Sequence, residues 1–176
     1  GGNGPYVAVL LVVTVLSFAA SVLVTRIWPI GAFYLLPTRA WELALGGLVA
    51  LTLGRWRQLP PLAAGIVGWL GLAVVVVTCN QFSATTPFPG SLALLPVLGT
   101  VLVIGAGCAL PSRGVGRILS LPPMRAVGRW SYSWYLWHWP VLIFAPFIVG
   151  HPLGLPGRLA TVVISAGLAV LTLHLI

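Results

Sequence analysis

Long apolar runs, separated by short polar or proline-containing segments, make up most of the chain. About 20 apolar residues are enough to cross a membrane as an α-helix. Six segments fit or approach that length, and they are Tyr6–Thr25, Thr38–Gly54, Pro61–Cys79, Ser91–Leu110, Ser131–Val149 and Arg158–Ile176. The pattern therefore predicts an all-α, polytopic bundle of about six transmembrane helices, of which the second is short.

The composition supports a membrane location. Hydrophobic residues make up 59% of the chain and charged residues 6%, whereas an ordinary soluble domain has roughly 25% charged residues. The formal net charge is +8, but the arginines lie at the ends of apolar runs instead of forming one basic patch. We therefore expect a lipid bilayer as the surroundings and no nucleic-acid partner.

Two short stretches carry most of the arginines and predict the topology. One holds Arg55 and Arg57, and the other is the loop 113–129 with four arginines. Short loops rich in basic residues stay on the cytoplasmic side. Because two predicted helices separate these stretches, both can lie on that side, and the segments 26–37, 80–90 and 150–157 are then expected to be extracytoplasmic.

The cysteines are predicted to be free and to bind no metal. Cys79 is placed near the outer surface and Cys108 near the inner one, and the pair lacks the close spacing of a metal or redox motif. No metal site is expected elsewhere. The sequence begins at Gly1 and its single methionine is Met124, so we expect the chain to be a fragment or a processed piece.

Glu42 is the only acidic residue in the sequence and lies within an apolar segment. An ionisable group at membrane depth costs roughly 2.5 to 3.5 kcal/mol, so it is expected to be functional or tightly paired. Thr38 is predicted to cap the helix, and Arg39, Glu42 and Gly46 then share one face. The small residues of that face predict that it packs inward. Two interpretations of Arg39 and Glu42 are open. They form a salt bridge that only fixes helix packing, or Glu42 acts as a catalytic group.

A second informative segment is GRWSYSWYLWHWP, beginning at Gly128. Its tryptophans and tyrosines are typical of membrane-interface anchors. Tyr135 and His138 share a helical face, and His138 is expected about 10 Å from the helix start, beyond the interface. Pro140 frees a backbone carbonyl nearby. A satisfied core histidine and a chemical role both remain open, whereas His151 and His174 are expected to be structural.

The stretches FYLLPTRAWELALGG and VGRWSYSWYLWHWPVLIF resemble acyltransferase family 3, which includes O-antigen acetylases and related bacterial envelope acyltransferases. The resemblance covers essentially the whole chain, as the later, C-terminal part of the membrane domain. It implies a multi-pass protein of the bacterial cytoplasmic (inner) membrane. It also implies transfer of an acyl group, often acetyl, from cytoplasmic acyl-CoA to a hydroxyl of an envelope glycan or lipid outside.

The resemblance also assigns residues. Arg39, Trp41 and Glu42 correspond to the family's arginine–glutamate helix, and His138 to the histidine of its aromatic helix. Arg39, Glu42 and His138 are therefore the catalytic candidates. The substrate-binding candidates are Tyr34, Trp41, Tyr135, Trp137 and Arg129. No bound cofactor is expected, because acyl-CoA serves as the donor substrate.

The chain departs from the family pattern in two places. Family members carry their principal histidine, with a preceding arginine, on the first membrane helix, and the run YVAVLLVVTVLSFAASVLVT contains neither. Fused members also have an extracytoplasmic hydrolase-like domain with a serine nucleophile after the bundle. We therefore expect this fragment to be inactive alone.

Two other functions compete with acyl transfer. In a transporter or lipid-translocating subunit, Arg39, Glu42 and His138 would line a pathway. In a non-catalytic membrane scaffold, the same groups would be packing pairs.

Overall fold

The computed structural model describes residues 3–83 and 88–175, and this part of the chain is all-α, as predicted. Its helices are α1 (Gly4–Ile27), α2 (Pro29–Tyr34), α3 (Ala40–Leu51), α4 (Leu53–Trp56), α5 (Pro61–Gln81), α6 (Leu94–Ala109), α7 (Gly114–Leu119), α8 (Pro122–Val149) and α9 (Leu155–Leu175). Short 3₁₀ turns at Leu36–Thr38 and Ser91–Ala93 precede α3 and α6.

Each of the six predicted segments overlaps at least one helix. In residues 3–83 and 88–175, four helices are long and apolar enough to cross a membrane, namely α1, α5, α9, and α6 together with the turn before it. The 12 residues of α3 extend about 18 Å, which is shorter than a hydrocarbon core of about 30 Å. The 28 residues of α8 are long enough, but tryptophan, tyrosine and histidine make its first half less apolar. The chain is a multi-pass membrane protein.

The prediction for the start of α8 was wrong. The helix begins at Pro122 instead of Ser131, so Arg125 and Arg129 lie on its first turns and not in a loop. Two consecutive prolines look like a loop signal, but the first turn of a helix needs no amide donors and accepts proline. His138 consequently lies about 24 Å along α8 from its start, not about 10 Å.

The described chain divides into two compact units, the first ending at Ile118 and the second beginning at Leu119. In the first unit, α5 and α6 pack closely because glycines face each other. A Cβ added to Gly71 would lie 2.6 Å from the carbonyl oxygen of Gly99. Small residues at such a contact let two membrane helices approach closely.

The prediction of the inward face of α3 was wrong. Gly46 has open space around it and Ala50 is exposed. The buried residues of α3 are Trp41, Ala44 and Val49. The close contact with α1 is made by Gly47, where an added Cβ would lie 3.0 Å from Leu10. The packed face of α3 is therefore the one that carries the indole of Trp41, with Ala44 and Val49. It is not the face that carries Gly46 and Ala50.

In the second unit, α8 and α9 are joined by three hydrogen bonds from α8 side chains. The Ser133 hydroxyl donates to the carbonyl of Ala169 at 3.2 Å. The indole N–H of Trp134 donates to the Ser165 hydroxyl at 3.0 Å, and that of Trp137 donates to the Thr172 hydroxyl at 2.9 Å. Such interhelical hydrogen bonds fix the register of helices in an apolar environment.

The cysteines are free, as predicted. Cys79 is exposed near the end of α5, and Cys108 is half-buried near the end of α6.

Candidate active site

The segment between α2 and α3 forms a turn that is closed by Thr38. The prediction that Thr38 caps α3 was wrong. Its hydroxyl lies 2.6 Å from the carbonyl oxygens of both Ala32 and Leu35. The residue at the N-cap position is Arg39, which makes no side-chain cap hydrogen bond. The Thr38 hydroxyl bonds to α2 instead of α3 because two carbonyl oxygens at the end of α2 are within reach. Thr38 therefore closes the turn before α3.

The cap of α3 comes from α1 instead. The Ser17 hydroxyl donates to the carbonyl of Pro37 at 2.6 Å and accepts from the backbone N–H of Trp41 at 2.9 Å. The first amides of a helix have no partner within it. Ser17, which is buried on α1, therefore satisfies one of them and fixes the start of α3 against α1.

Trp41 anchors the same corner and is fully buried. Its indole N–H donates to the carbonyl of Thr38 at 3.1 Å, and its ring meets Phe18 of α1 edge to face at 5.1 Å. A buried indole normally requires such a partner for its N–H. The structure places Trp41 as a support for the first turn of α3, and its predicted contact with substrate stays a prediction.

Arg39 and Glu42 form an ion pair on this turn. A terminal nitrogen of Arg39 donates to Oε2 of Glu42 at 3.3 Å, and their side chains are 37% and 21% exposed. Glu42 also lies in the first turn of α3, where the helix dipole stabilises negative charge.

Two buried side-chain oxygens have no hydrogen-bond partner among residues 3–83 and 88–175, and they are Oε1 of Glu42 and Oγ of Ser21 on α1. A buried polar atom without a partner costs about 1 to 3 kcal/mol. Within the described residues, the Glu42 carboxylate therefore has one oxygen paired with Arg39 and one oxygen without a donor.

The ring of Phe33 lies against the guanidinium of Arg39 and belongs to a small aromatic group. Its carbon lies 5.2 Å from the ring centre of Phe33, within cation–π range. Phe33 in turn meets Tyr34 edge to face at 5.2 Å and contacts Phe88 at 6.5 Å. Tyr34, a predicted substrate-binding residue, is 73% exposed. The structure thus places Tyr34 beside the aromatic support of Arg39.

His138 belongs to the second unit and has a defined orientation. Its Nδ1 lies 2.7 Å from the carbonyl oxygen of Tyr135. A carbonyl only accepts hydrogen bonds, so Nδ1 must carry the proton, and Nε2 of the neutral ring is then an acceptor. The ring of Tyr135 lies 5.6 Å away, and His138 is half-buried. The bond to Tyr135 therefore fixes the orientation of the His138 ring on α8.

The other candidates of the second unit have different surroundings. Trp137 uses its indole N–H to bind Thr172 of α9, and Arg129 is exposed on the first turns of α8. The structure therefore defines two groups of candidate residues, one in each unit. Within the described ranges, no cluster of three or more histidine, cysteine or acidic side chains could hold a metal ion.

Sequence reasoning missed Ser17 and Phe33. Ser17 had a detectable signal, because Ser17, Ser21 and Thr25 recur every fourth residue in a mostly apolar run. All three are buried, and Thr25 accepts a hydrogen bond from the amide of Gly90 at 3.0 Å. This polar stripe marks the face of α1 that holds the site. Phe33 had no comparable signal.

These features define a multi-pass membrane protein with a half-buried ion pair at the start of a short helix. The chain is 32% identical to BcsY of Komagataeibacter xylinus, provisionally named a membrane-bound transacylase, over 79% of this chain and 35% of that protein. It is 27% identical to the peptidoglycan O-acetyltransferase OatA of Listeria monocytogenes, over 65% and 19% of the two chains. It is 28% identical to YrhL of Bacillus subtilis, provisionally named a peptidoglycan O-acetyltransferase, over 70% and 21%.

The curated homologues of this chain are thus acyltransferases of the acyltransferase family 3 type, which confirms the resemblance drawn from the two motifs. The chain spans about a third or less of the length of these relatives. No family model and no solved structure matches it.

Proposed function

We propose that this chain is part of an integral membrane O-acyltransferase. The protein would move an acyl group, such as acetyl, from a cytoplasmic acyl-CoA donor to a hydroxyl of a cell-envelope glycan or lipid. The names of the three relatives support acyl transfer, and two of them also support a glycan acceptor. A bacterial inner-membrane location and a fused extracytoplasmic hydrolase-like domain belong to the same proposal and rest on the family resemblance.

The observation that carries the proposal is the state of Glu42. One carboxylate oxygen is held by Arg39, and the other is buried without a donor among the described residues. Acyl transfer to a hydroxyl needs an acceptor for the hydroxyl proton, directly or through a second group. Oε1 of Glu42 has the charge and the free lone pairs for that role. Its partner would be the acceptor hydroxyl itself or the histidine that the family carries on its first membrane helix.

The proposed reaction conserves atoms and charge. A base removes the proton from the acceptor hydroxyl while the oxygen attacks the thioester carbonyl carbon. The new bond between the acceptor oxygen and the acyl carbon forms, and the carbon–sulfur bond breaks. The coenzyme A thiolate leaves and takes up a proton. Glu42 would accept or relay the first proton. The Arg39 guanidinium, whose side chain is 37% exposed and donates to Glu42, would stabilise the developing oxyanion or a donor phosphate.

His138 is the candidate of the second unit for proton transfer. Its Nδ1–H is held by the carbonyl of Tyr135, which leaves Nε2 as the acceptor. In other acyl-transfer sites, the basic histidine is oriented by a hydrogen bond at one ring nitrogen and accepts a proton at the other. The bond from Nδ1 of His138 would leave Nε2 for the same role. We assign it a secondary role, in relaying a proton or orienting the acceptor.

The proposal is tested with the full-length protein in inverted membrane vesicles. Acyl-CoA labelled in the acyl group is supplied outside the vesicles, and envelope glycan and lipid are isolated and assayed for label released by mild base. Label in ester linkage supports the acyltransferase. Label that crosses the membrane without forming an ester would support the transporter instead.

The ion pair is tested by Arg39→Ala and Arg39→Lys. The alanine variant should lose acyl transfer while its abundance in the membrane stays near that of the wild type. The lysine variant keeps the charge but not the planar, multiply donating guanidinium, so an intermediate rate is expected. Arg55→Ala removes an exposed arginine of the same unit and serves as the control for charge. Full activity of Arg39→Ala would remove the pair from the reaction.

A further inference from the structure

The turn between α8 and α9 forms an amphiphilic groove outside the candidate active site. The groove has a volume of about 750 Å³, and its lining includes Arg158 and His151 at one end. Its apolar wall consists of Leu142, Pro146 and Phe147 of α8. From Gly150 back to Leu142 this wall extends about 12 Å along the helix. One end is therefore basic and the remainder is apolar.

Arg158 has no counter-charge within its own unit. Residues 119–176 contain no aspartate or glutamate, and the only acidic residue of the chain is Glu42, which pairs with Arg39. The Nε of Arg158 donates to the carbonyl of Leu153 at 3.2 Å. That bond orients the guanidinium at the groove, and no other described hydrogen bond or ion pair uses its terminal nitrogens.

The position of Arg158 makes a bound anion more favourable. Arg158 lies in the first turn of α9, where the helix dipole is positive and disfavours a cation. The His151 ring lines the same end, with Nδ1 3.1 Å from the carbonyl of Pro152. The Arg158 charge thus meets the positive end of α9 without a carboxylate in this unit, at a helix end that the sequence places at a membrane surface. An anion from outside the chain would relieve this repulsion.

We propose that this groove binds an anionic phospholipid. The headgroup phosphate would lie against Arg158, and the first carbons of an acyl chain would lie on the wall formed by Leu142, Pro146 and Phe147. A guanidinium matches a phosphate in geometry as well as charge. An amphiphile fits the groove better than a free anion, because most of the lining is apolar.

The test is lipid binding to the delipidated full-length protein, measured by native mass spectrometry. The probes are dioleoyl phosphatidylglycerol, dioleoyl phosphatidylcholine and inorganic phosphate. Phosphatidylglycerol should bind in preference to phosphatidylcholine, and millimolar phosphate should not displace it. Arg158→Gln should weaken phosphatidylglycerol binding by about fivefold, the effect expected for one basic residue near an anionic headgroup.

Two further variants separate charge from structure. Arg158→Lys keeps the charge but loses the guanidinium geometry and the bond from Nε to Leu153, so its binding should lie between that of the wild type and that of Arg158→Gln. Arg125→Gln removes an exposed arginine on the first turns of α8 and should leave binding unchanged. The proposal would be overturned by equal binding of the two lipids, by displacement with phosphate, or by unchanged binding in Arg158→Gln. It would also be overturned if Arg125→Gln lost as much binding as Arg158→Gln, or if Arg158→Lys bound no better than Arg158→Gln.

Discussion

Replacement of Ser17 by alanine should loosen the corner that positions the ion pair. The hydroxyl satisfies both the carbonyl of Pro37 and the amide of Trp41 in a buried position. Alanine would leave both groups without that partner. Each unsatisfied buried group costs about 1 to 3 kcal/mol, so the expected loss of stability is about 2 to 4 kcal/mol after partial relaxation. Glu42 follows Trp41 directly, and acyl transfer should therefore fall as well.

The assay is thermal unfolding of the purified protein in detergent, followed by tryptophan fluorescence. A loss of that size should lower the apparent Tm by about 5 to 15 °C. Thr14→Ala is the matched control, because Thr14 lies on the same helix and its hydroxyl binds only Leu10 of that helix. The control should change the Tm little. An unchanged Tm in Ser17→Ala, or an equal fall in both variants, would refute the role given to Ser17.

Two further predictions concern the helix contact of the first unit and the histidine of the second. Gly71→Ala places a Cβ 2.6 Å from the carbonyl oxygen of Gly99 and should destabilise the protein by about 1 to 3 kcal/mol. Gly65→Ala is the control, because Gly65 has open space around it and the added methyl group should not destabilise the protein. Equal Tm values for the two variants would contradict the close packing of α5 and α6. His138→Ala should lower acyl transfer in membrane vesicles with little change in protein abundance, because the ring bonds only to the carbonyl of Tyr135. A wild-type rate would return His138 to a packing role.

Hydropathy predicted the positions of the longer helices, because an apolar run of sufficient length has few alternatives to a helix in a membrane. It predicted neither the short helices α2, α4 and α7 nor every boundary. Pro122 and Pro123 carry the same local signal whether they interrupt a loop or begin a helix, and here they begin α8. The side chains of α8 that bind α9 find partners 31 to 36 residues away in sequence, which a local pattern does not reveal.

The Arg39–Glu42 pair could be predicted, because its spacing and the scarcity of acidic residues are local properties of the sequence. The orientation of α3 could not. Gly46 and Ala50 satisfied the small-residue rule, yet the buried side of α3 is set by Trp41 fitting against Phe18 of α1. Likewise, Thr38 had the right residue type for a cap, but Ser17 took that role across 24 residues of sequence. Both outcomes depend on tertiary contacts.

The most direct test of the central claim is the rate of acyl transfer by Glu42→Gln. Glutamine keeps the shape and the hydrogen bond from Arg39 but removes the charge and the proton acceptor. If the buried oxygen takes part in proton transfer, the rate per molecule of membrane-inserted protein should fall by about a hundredfold or more. A rate close to that of the wild type, with labelled acyl ester still formed, would contradict the account and leave the ion pair with packing alone.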